Sequence, residues 1–417
     1  SITYNNLDVI ETGYGISLRP LALFADETYR NSDLSCFQPK MLEDGEQSKI
    51  DITRAARMHK AIAVIQFKLE GQTIKRNPSF GMDDRLLLDK IDFEKKTVRL
   101  PSGEYPLRDC DFPTIDPADP YRLSPEEHAL MAQLKNSFLR SEKLQRHISF
   151  LYSKGGLYKC FNGNLLFHGC IPMDGNGEFL RFSFGGQTLS GKALMDFCET
   201  VAREGYYARE GTQERQFGKD FLWFLWCGRN SPSFGRDHIA TFERRLIADQ
   251  STWAEPKNPY YSYYNEDEVC VRILREFGLE GEHCHIVNGH VPVKTKDGES
   301  PIKAGGRLIV IDGGFCRAYQ PTTGIAGYTL VYDSWGIHIT AHEPFPGKET
   351  AIRDNKDILS TSMAFDRSEN RIRIRETDIG RTLQQTIDDL KELLAAFRRG
   401  EIKENNSDNT AVRGPVS

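Results

Sequence analysis

Two stretches of this chain bring a histidine to the end of a short apolar run, beside a glycine. One is Asn164-Leu165-Leu166-Phe167-His168-Gly169-Cys170-Ile171-Pro172; the other is Cys284-His285-Ile286-Val287-Asn288-Gly289-His290-Val291-Pro292. Leu165 to Phe167 reads as a buried strand, His168 falls at its tip, and Gly169 permits the turn that must follow. A histidine fixed at a strand tip suits metal ligation or proton transfer. Either one alone reads more readily as a core or turn histidine. Two of the same design read as two metal ligands, His168 and His290, aimed at one centre from one edge of a sheet. Asn288 is a weaker third candidate, for the metal or for orienting a water. Arg229 leaves an apolar segment for the loop Arg229-Asn230-Ser231-Pro232-Ser233-Phe234-Gly235-Arg236, where a guanidinium can grip a phosphate through two parallel hydrogen bonds. The competing reading of Arg229 is a surface arginine paired with Asp237.

Other reactive side chains carry less. His285, His338 and His342 are further candidates, but alternation along a regular strand sets His285 and His290 on opposite faces. Cys284 is followed directly by His285, and adjacent strand positions point apart, which argues against a Cys/His nucleophile. Tyr260 to Tyr264 holds four tyrosines in five residues; such a run can stack on a sugar or base, and more readily packs a loop. Asp109 to Pro120, rich in proline and aspartate, reads as an acidic connector rather than a cation site. No nucleophile elbow, phosphate loop or dinucleotide fingerprint is present.

The elements that must position these residues follow from periodicity. Leu18 to Tyr29 has helical spacing, with Pro20 suited to its first turn. Asp51 to Gly71 predicts an amphipathic helix capped by Gly71, with His59 packed or solvated inside it. Lys90 to Phe93 and Thr97 to Leu100 read as a small β unit. Ser124-Pro125-Glu126-Glu127 is a capping box that starts a helix expected to run to about Leu151. Lys192 to Tyr207 and Asp267 to Phe277 are helical, Phe221 to Gly228 is an aromatic-rich buried segment, and Leu308 to Asp312 is an apolar strand ending at Gly313-Gly314. Tyr328 to Tyr332 and Gly336 to Ala341 read as strands. Thr382 to Phe397 is an amphipathic helix. Lys40 to Ser48 reads as a loop and Lys403 to Ser417 as a disordered tail.

A net charge of -5 with 27% charged residues gives no electrostatic case for nucleic acid. No apolar run approaches the roughly 20 residues a membrane helix needs, and no signal peptide is visible. Nine cysteines, an odd number without a CxxC pair, favour reduced thiols and a cytoplasmic protein. Cys170, Cys227 and Cys284 sit in or beside apolar, strand-like runs, as small core residues do. The chain begins at Ser1, and Ser1 to Gly15 lacks a helix start signal, so it reads as the interior of a longer protein.

The paired strand ends resemble the later motifs of the calcineurin-like metallophosphatases. Trp226-Cys227-Gly228-Arg229-Asn230-Ser231-Pro232-Ser233-Phe234-Gly235, Asn288-Gly289-His290-Val291-Pro292-Val293-Lys294, Ile311-Asp312-Gly313-Gly314-Phe315-Cys316 and Leu7-Asp8-Val9-Ile10-Glu11-Thr12-Gly13-Tyr14-Gly15-Ile16 narrow the resemblance. With the first stretch, they are similar to class III fructose-1,6-bisphosphatase. That implies an α/β fold: a metallophosphatase-type β-sandwich flanked by helices and incomplete at its N-terminus. Residues 1–120 would form a mostly helical segment with a small β unit and 121–345 the C-terminal part of the core. Residues 346–400 would carry an amphipathic helix, and 401–417 a disordered tail.

The resemblance implies a manganese-dependent hydrolase that removes the 1-phosphate of fructose 1,6-bisphosphate in gluconeogenesis. Two metals would bind the phosphoryl oxygens and acidify a bridging water. His168 and His290, with Asn288, would serve the metals, and Arg229 the substrate. The family's Asp-x-His, Gly-Asp-x-x-Asp-Arg-Gly and Gly-Asn-His-Asp motifs do not occur here, so its catalytic residues are expected before Ser1. The expectation is therefore a C-terminal fragment inactive alone, associating with the missing segment or with itself. Alternatives are a phosphoprotein or nucleotide phosphatase of the same fold, or a non-catalytic regulatory or scaffold half.

Overall fold

The computed structural model describes residues 1–4, 6–40, 51–315, 320–355 and 360–402. The loop expected at Lys40 to Ser48 lies, beyond Lys40, outside the described residues, and so does the tail from Lys403. The architecture is mixed α/β. Strands β1 (Ile91–Asp92), β2 (Thr97–Leu100) and β3 (Gly103–Pro106) form a small antiparallel sheet. Strands β4 (Tyr158–Phe161) and β5 (Asn164–Phe167) lead into the principal sheet, and β6 (Phe182–Phe184) and β7 (Gln187–Leu189) make a hairpin. The principal sheet is completed by β8 (His285–Asn288), β9 (Ile302–Lys303) and β10 (Leu308–Val310), in the order β4-β5-β8-β10-β9. A third antiparallel sheet contains β11 (Gly327–Asp333), β12 (Gly336–His342) and β13 (Ser360–Arg367).

Within the principal sheet β5, β8 and β10 run parallel, with Leu165 opposite Ile286 and Ile286 opposite Leu308. All three carboxyl ends therefore leave from one edge. One face of this sheet, through Leu165, Phe167, Ile286, Leu308 and Val310, packs with Ile273 and Leu274 of helix Asp267–Glu276 and with the fully buried Tyr260. The tyrosine run is packing: Tyr261 and Tyr263 donate their hydroxyls to the carbonyls of Gly169 and Gly175.

Helix Ile52–Arg76 runs through the N-terminal layer, with Asp51 capping Arg54. Gly71 is not its cap. Tyr121 packs flat on it, and a Cβ there would lie 2.0 Å from the ring, so the small residue serves a close approach and the helix continues to Arg76. The capping box at Ser124 is present, with Glu127 returning to the Ser124 N–H. The helix it starts ends at Arg140; Ser141 adopts an extended conformation, caps a second helix, Glu142–Lys154, and donates to the Tyr14 carbonyl. That tertiary bond breaks what periodicity reads as one helix. Phe221 and Cys227 belong to helix Gln213–Cys227, not to a strand-like run; Phe80, Phe184, Phe221 and Phe224 form its aromatic core. Helix Asp378–Arg398 leaves Leu383, Ile387, Leu390 and Phe397 about half exposed. Among the described residues no helix is long and apolar enough to cross a membrane.

Candidate metal and phosphate site

The parallel strands deliver their side chains to one cleft. β5 ends at Phe167 and is followed by His168; β8 ends at Asn288 and is followed by Gly289 and His290; β10 is followed by Ile311 and Asp312. Backbone pairing continues past the strand ends, where the Gly289 N–H donates to the His168 carbonyl at 3.1 Å. Asn288 reinforces it: its Nδ2 donates to the carbonyls of Gly169 at 2.7 Å and His168 at 3.2 Å. Gly169 is required by a close approach, since a Cβ there would sit 2.1 Å from the Pro232 carbonyl oxygen, which accepts the Cys170 N–H.

His168 and His290, far apart in the chain, meet: Nε2 of His168 lies 3.1 Å from Nδ1 of His290. Nε2 of His290 lies 2.9 Å from the Phe234 carbonyl, an oxygen that only accepts. The proton is therefore on Nε2, and Nδ1 turns its lone pair towards His168. His290 holds this pose with φ of 68°, a left-handed backbone that costs a residue with a Cβ about 1–2 kcal/mol. Burial, and then the neighbouring His168, hold the His290 imidazole below its ordinary pKa, favouring the neutral, ligating form.

The cleft has a volume of about 850 Å³ and is lined by both histidines, Asn288, Asp312, Lys154 and Lys159. Asp312 was not among the candidates. A Cβ added at Gly289 would lie 4.0 Å from the Asp312 Cβ, and the signal for Asp312 was an apolar strand ending in Asp-Gly-Gly.

The family model described as Firmicute fructose-1,6-bisphosphatase matches residues 1–399. The chain belongs to that family. It is 50% identical to the class 3 fructose-1,6-bisphosphatase of Clostridium novyi (strain NT) over 407 residues, covering 98% of this chain and 61% of that protein. The corresponding enzyme of Listeria innocua serovar 6a is 50% identical over 406 residues, 97% of this chain and 62% of the relative. The chain spans about three-fifths of the length of these curated relatives. No solved structure matches it.

The remaining candidates lie elsewhere. Arg229 does not line the cleft; it pairs with Asp84 at 2.7 Å and Asp237 at 3.0 Å and donates to the Gly81 carbonyl. Loop Arg229–Arg236 does serve the site, but through the carbonyls of Pro232 and Phe234. His285 is buried beneath β13, with Nε2 2.9 Å from Asp366. His342 bonds Thr329 and Ser360, and His338 lies 4.0 Å from Asp333. Lys60 pairs with Asp109 and Arg122 with Asp116, so these carboxylates of the acidic connector are engaged by cations of the protein itself.

Two imidazole nitrogens 3.1 Å apart suit two ligands of one cation, given bonds of about 2.0–2.1 Å. Asn288 Oδ1 is buried without a hydrogen-bond partner among the described residues, as a ligand or water-orienting oxygen would be. Among the described residues no group of three or more His, Cys, Asp or Glu side chains is arranged to hold a metal. The fit is thus to a cation shared by the two histidines, and a two-metal centre is not completed by these residues.

Proposed function

We propose that this chain acts in the hydrolysis of fructose 1,6-bisphosphate at its 1-phosphate, giving fructose 6-phosphate, with divalent metal held in part by His168 and His290. The observation that carries the reading is the 3.1 Å approach of the two imidazoles at the carboxyl edge of three parallel strands, in a chain of this family. The parallel order β5-β8-β10 also supports a metallophosphatase-type sandwich. Manganese is the proposed metal, as the resemblance to class III fructose-1,6-bisphosphatase implies.

Each residue has a role that follows from its contacts. The Phe234 carbonyl fixes the His290 tautomer, a second layer of support that commonly tunes ligand basicity. Asn288 holds the His168 turn through its amide hydrogens and presents Oδ1. Asp312 supplies negative charge beside the pair. A divalent cation, when bound, supplies positive charge against the phosphoryl oxygens. Arg229 is proposed for the substrate only through its loop, because its guanidinium is already engaged by two carboxylates.

Phosphate release from fructose 1,6-bisphosphate, a phosphopeptide and a nucleotide, with and without manganese, tests the proposal. The expected result is manganese-dependent release from the sugar bisphosphate in preference to the other two, falling at least about 100-fold in His168→Ala. Preference for the phosphopeptide or nucleotide, or a His168→Ala variant with unchanged metal dependence, would overturn it.

A further inference from the structure

A bisphosphate carries a second anion, and the cleft offers one place for it. We propose that Lys154 and Lys159 form a subsite for the distal phosphate of a sugar bisphosphate whose other phosphate lies at the histidine pair. The inference rests on the function proposed above and adds what selects a bisphosphate over a monophosphate.

The sheet register sets the geometry. Lys159 of β4 stands opposite Leu166 of β5, and Leu166 opposite Val287 of β8. Cross-strand partners share a face, so Lys159, Leu166 and Val287 form one row on the cleft side, and all three line the cleft. His168 is two residues beyond Leu166. Lys159 is thus displaced from the histidine by about 7 Å along the strand and about 5 Å across it, a separation that one small ligand with two charged ends can span.

The turn that carries Lys154 is clamped. Arg203 donates to the Tyr152 carbonyl at 2.6 Å and the Gly155 carbonyl at 2.9 Å, and pairs with Glu199 Oε1. Glu199 Oε2 in turn accepts the Leu157 N–H. The clamp fixes the path from helix Glu142–Lys154 into β4 and consumes the charges of Arg203 and Glu199. Lys154 and Lys159 have no ion-pair or hydrogen-bond partner among the described residues, and they are the lysine and arginine side chains in the described lining. A lysine ammonium meets phosphate as a point charge. Being exposed, the pair would bind through attraction that salt weakens.

The double variant Lys154→Met/Lys159→Met tests this, with Lys154→Arg/Lys159→Arg as the charge-retaining control and phenyl phosphate as a substrate without a distal anion. With manganese present, the Met variant should raise KM for fructose 1,6-bisphosphate by about tenfold and leave kcat within about twofold, because it removes binding shared by ground and transition states. Phenyl phosphate hydrolysis should be unchanged, and the Arg variant should recover most of the KM. Independently of turnover, carbon-13 methyl signals of dimethylated Lys154 and Lys159 should move on adding the bisphosphate and not on adding phenyl phosphate. Unchanged KM in the Met variant of an active protein overturns the subsite and leaves the proposed function standing. If the wild-type chain releases no phosphate from the bisphosphate, the proposed function fails. The lysine signals then decide alone: equal shifts with both probes, or none, overturn the subsite.

Discussion

Helix Ile52–Arg76 and the strand-end cleft both bring histidines together with charged side chains, with opposite results: the helix buries them and the cleft leaves His168 exposed and His290 half-buried. In the helix, His59 is 3% exposed and its Nδ1 meets the Phe37 carbonyl at 2.8 Å. Lys60 meets Asp109 and Lys68 meets Glu127, each at 2.7 Å. Glu127 Oε1 lacks a partner among the described residues, yet the carboxylate's charge is answered through Oε2. In the cleft, one imidazole faces another, an amide oxygen has no partner among the described residues, and His290 keeps a left-handed backbone. Groups matched to opposite partners hold a fold together. Imidazoles turned towards each other, on a backbone that opposes the arrangement, mark the kind of strained site where function concentrates.

The largest test of this contrast is Glu127→Ala. It strands the Lys68 ammonium and removes half of a capping box, so it should lower unfolding stability by about 3–5 kcal/mol. Denaturant unfolding measures this, and Lys68→Met/Glu127→Met should recover much of the loss. A smaller effect comes from His59, whose pKa is lowered on folding, chiefly by burial, from 6.5 to about 4. The unfolded chain binds the extra proton between those values, so stability should rise with pH across that window. The contribution is complete above about pH 6.5 and is lost as pH falls towards 4, amounting to about 3 kcal/mol. Unfolding at pH 7 and pH 4.5 should show this slope in the wild type and a weaker one in His59→Gln. The smallest change in stability should come from His290→Gly. Relief of the left-handed backbone, about 1 kcal/mol, offsets the lost bond to Phe234, while manganese affinity followed by electron paramagnetic resonance falls at least about tenfold. A large destabilisation with intact affinity would place His290 with His59, as a packing residue.

Local signals located the scaffold. Pro125 after Ser124, with Glu127 following, marked a helix start that the structure reproduces, and the apolar runs before His168 and Asn288 were strands. Gly71 and Ser141 were misread because their roles depend on Tyr121 and the Tyr14 carbonyl, partners that no local window contains. Arg229 was legible as a reactive type and Asp237 as its competing partner, but Asp84, far away in the chain, was not. Asp312 escaped because its distance from Gly289 follows from β10 lying beside β8.

The sequence by itself determined where strands end and which of them end in histidine, since apolar runs and glycine breaks are encoded over a few residues. Only the tertiary structure decided that β5, β8 and β10 run parallel side by side, and so that His168, His290 and Asp312 share one cleft. Parallel pairing joins segments separated by long crossovers, and its register is set by burial of the whole sheet face rather than by any neighbouring residues.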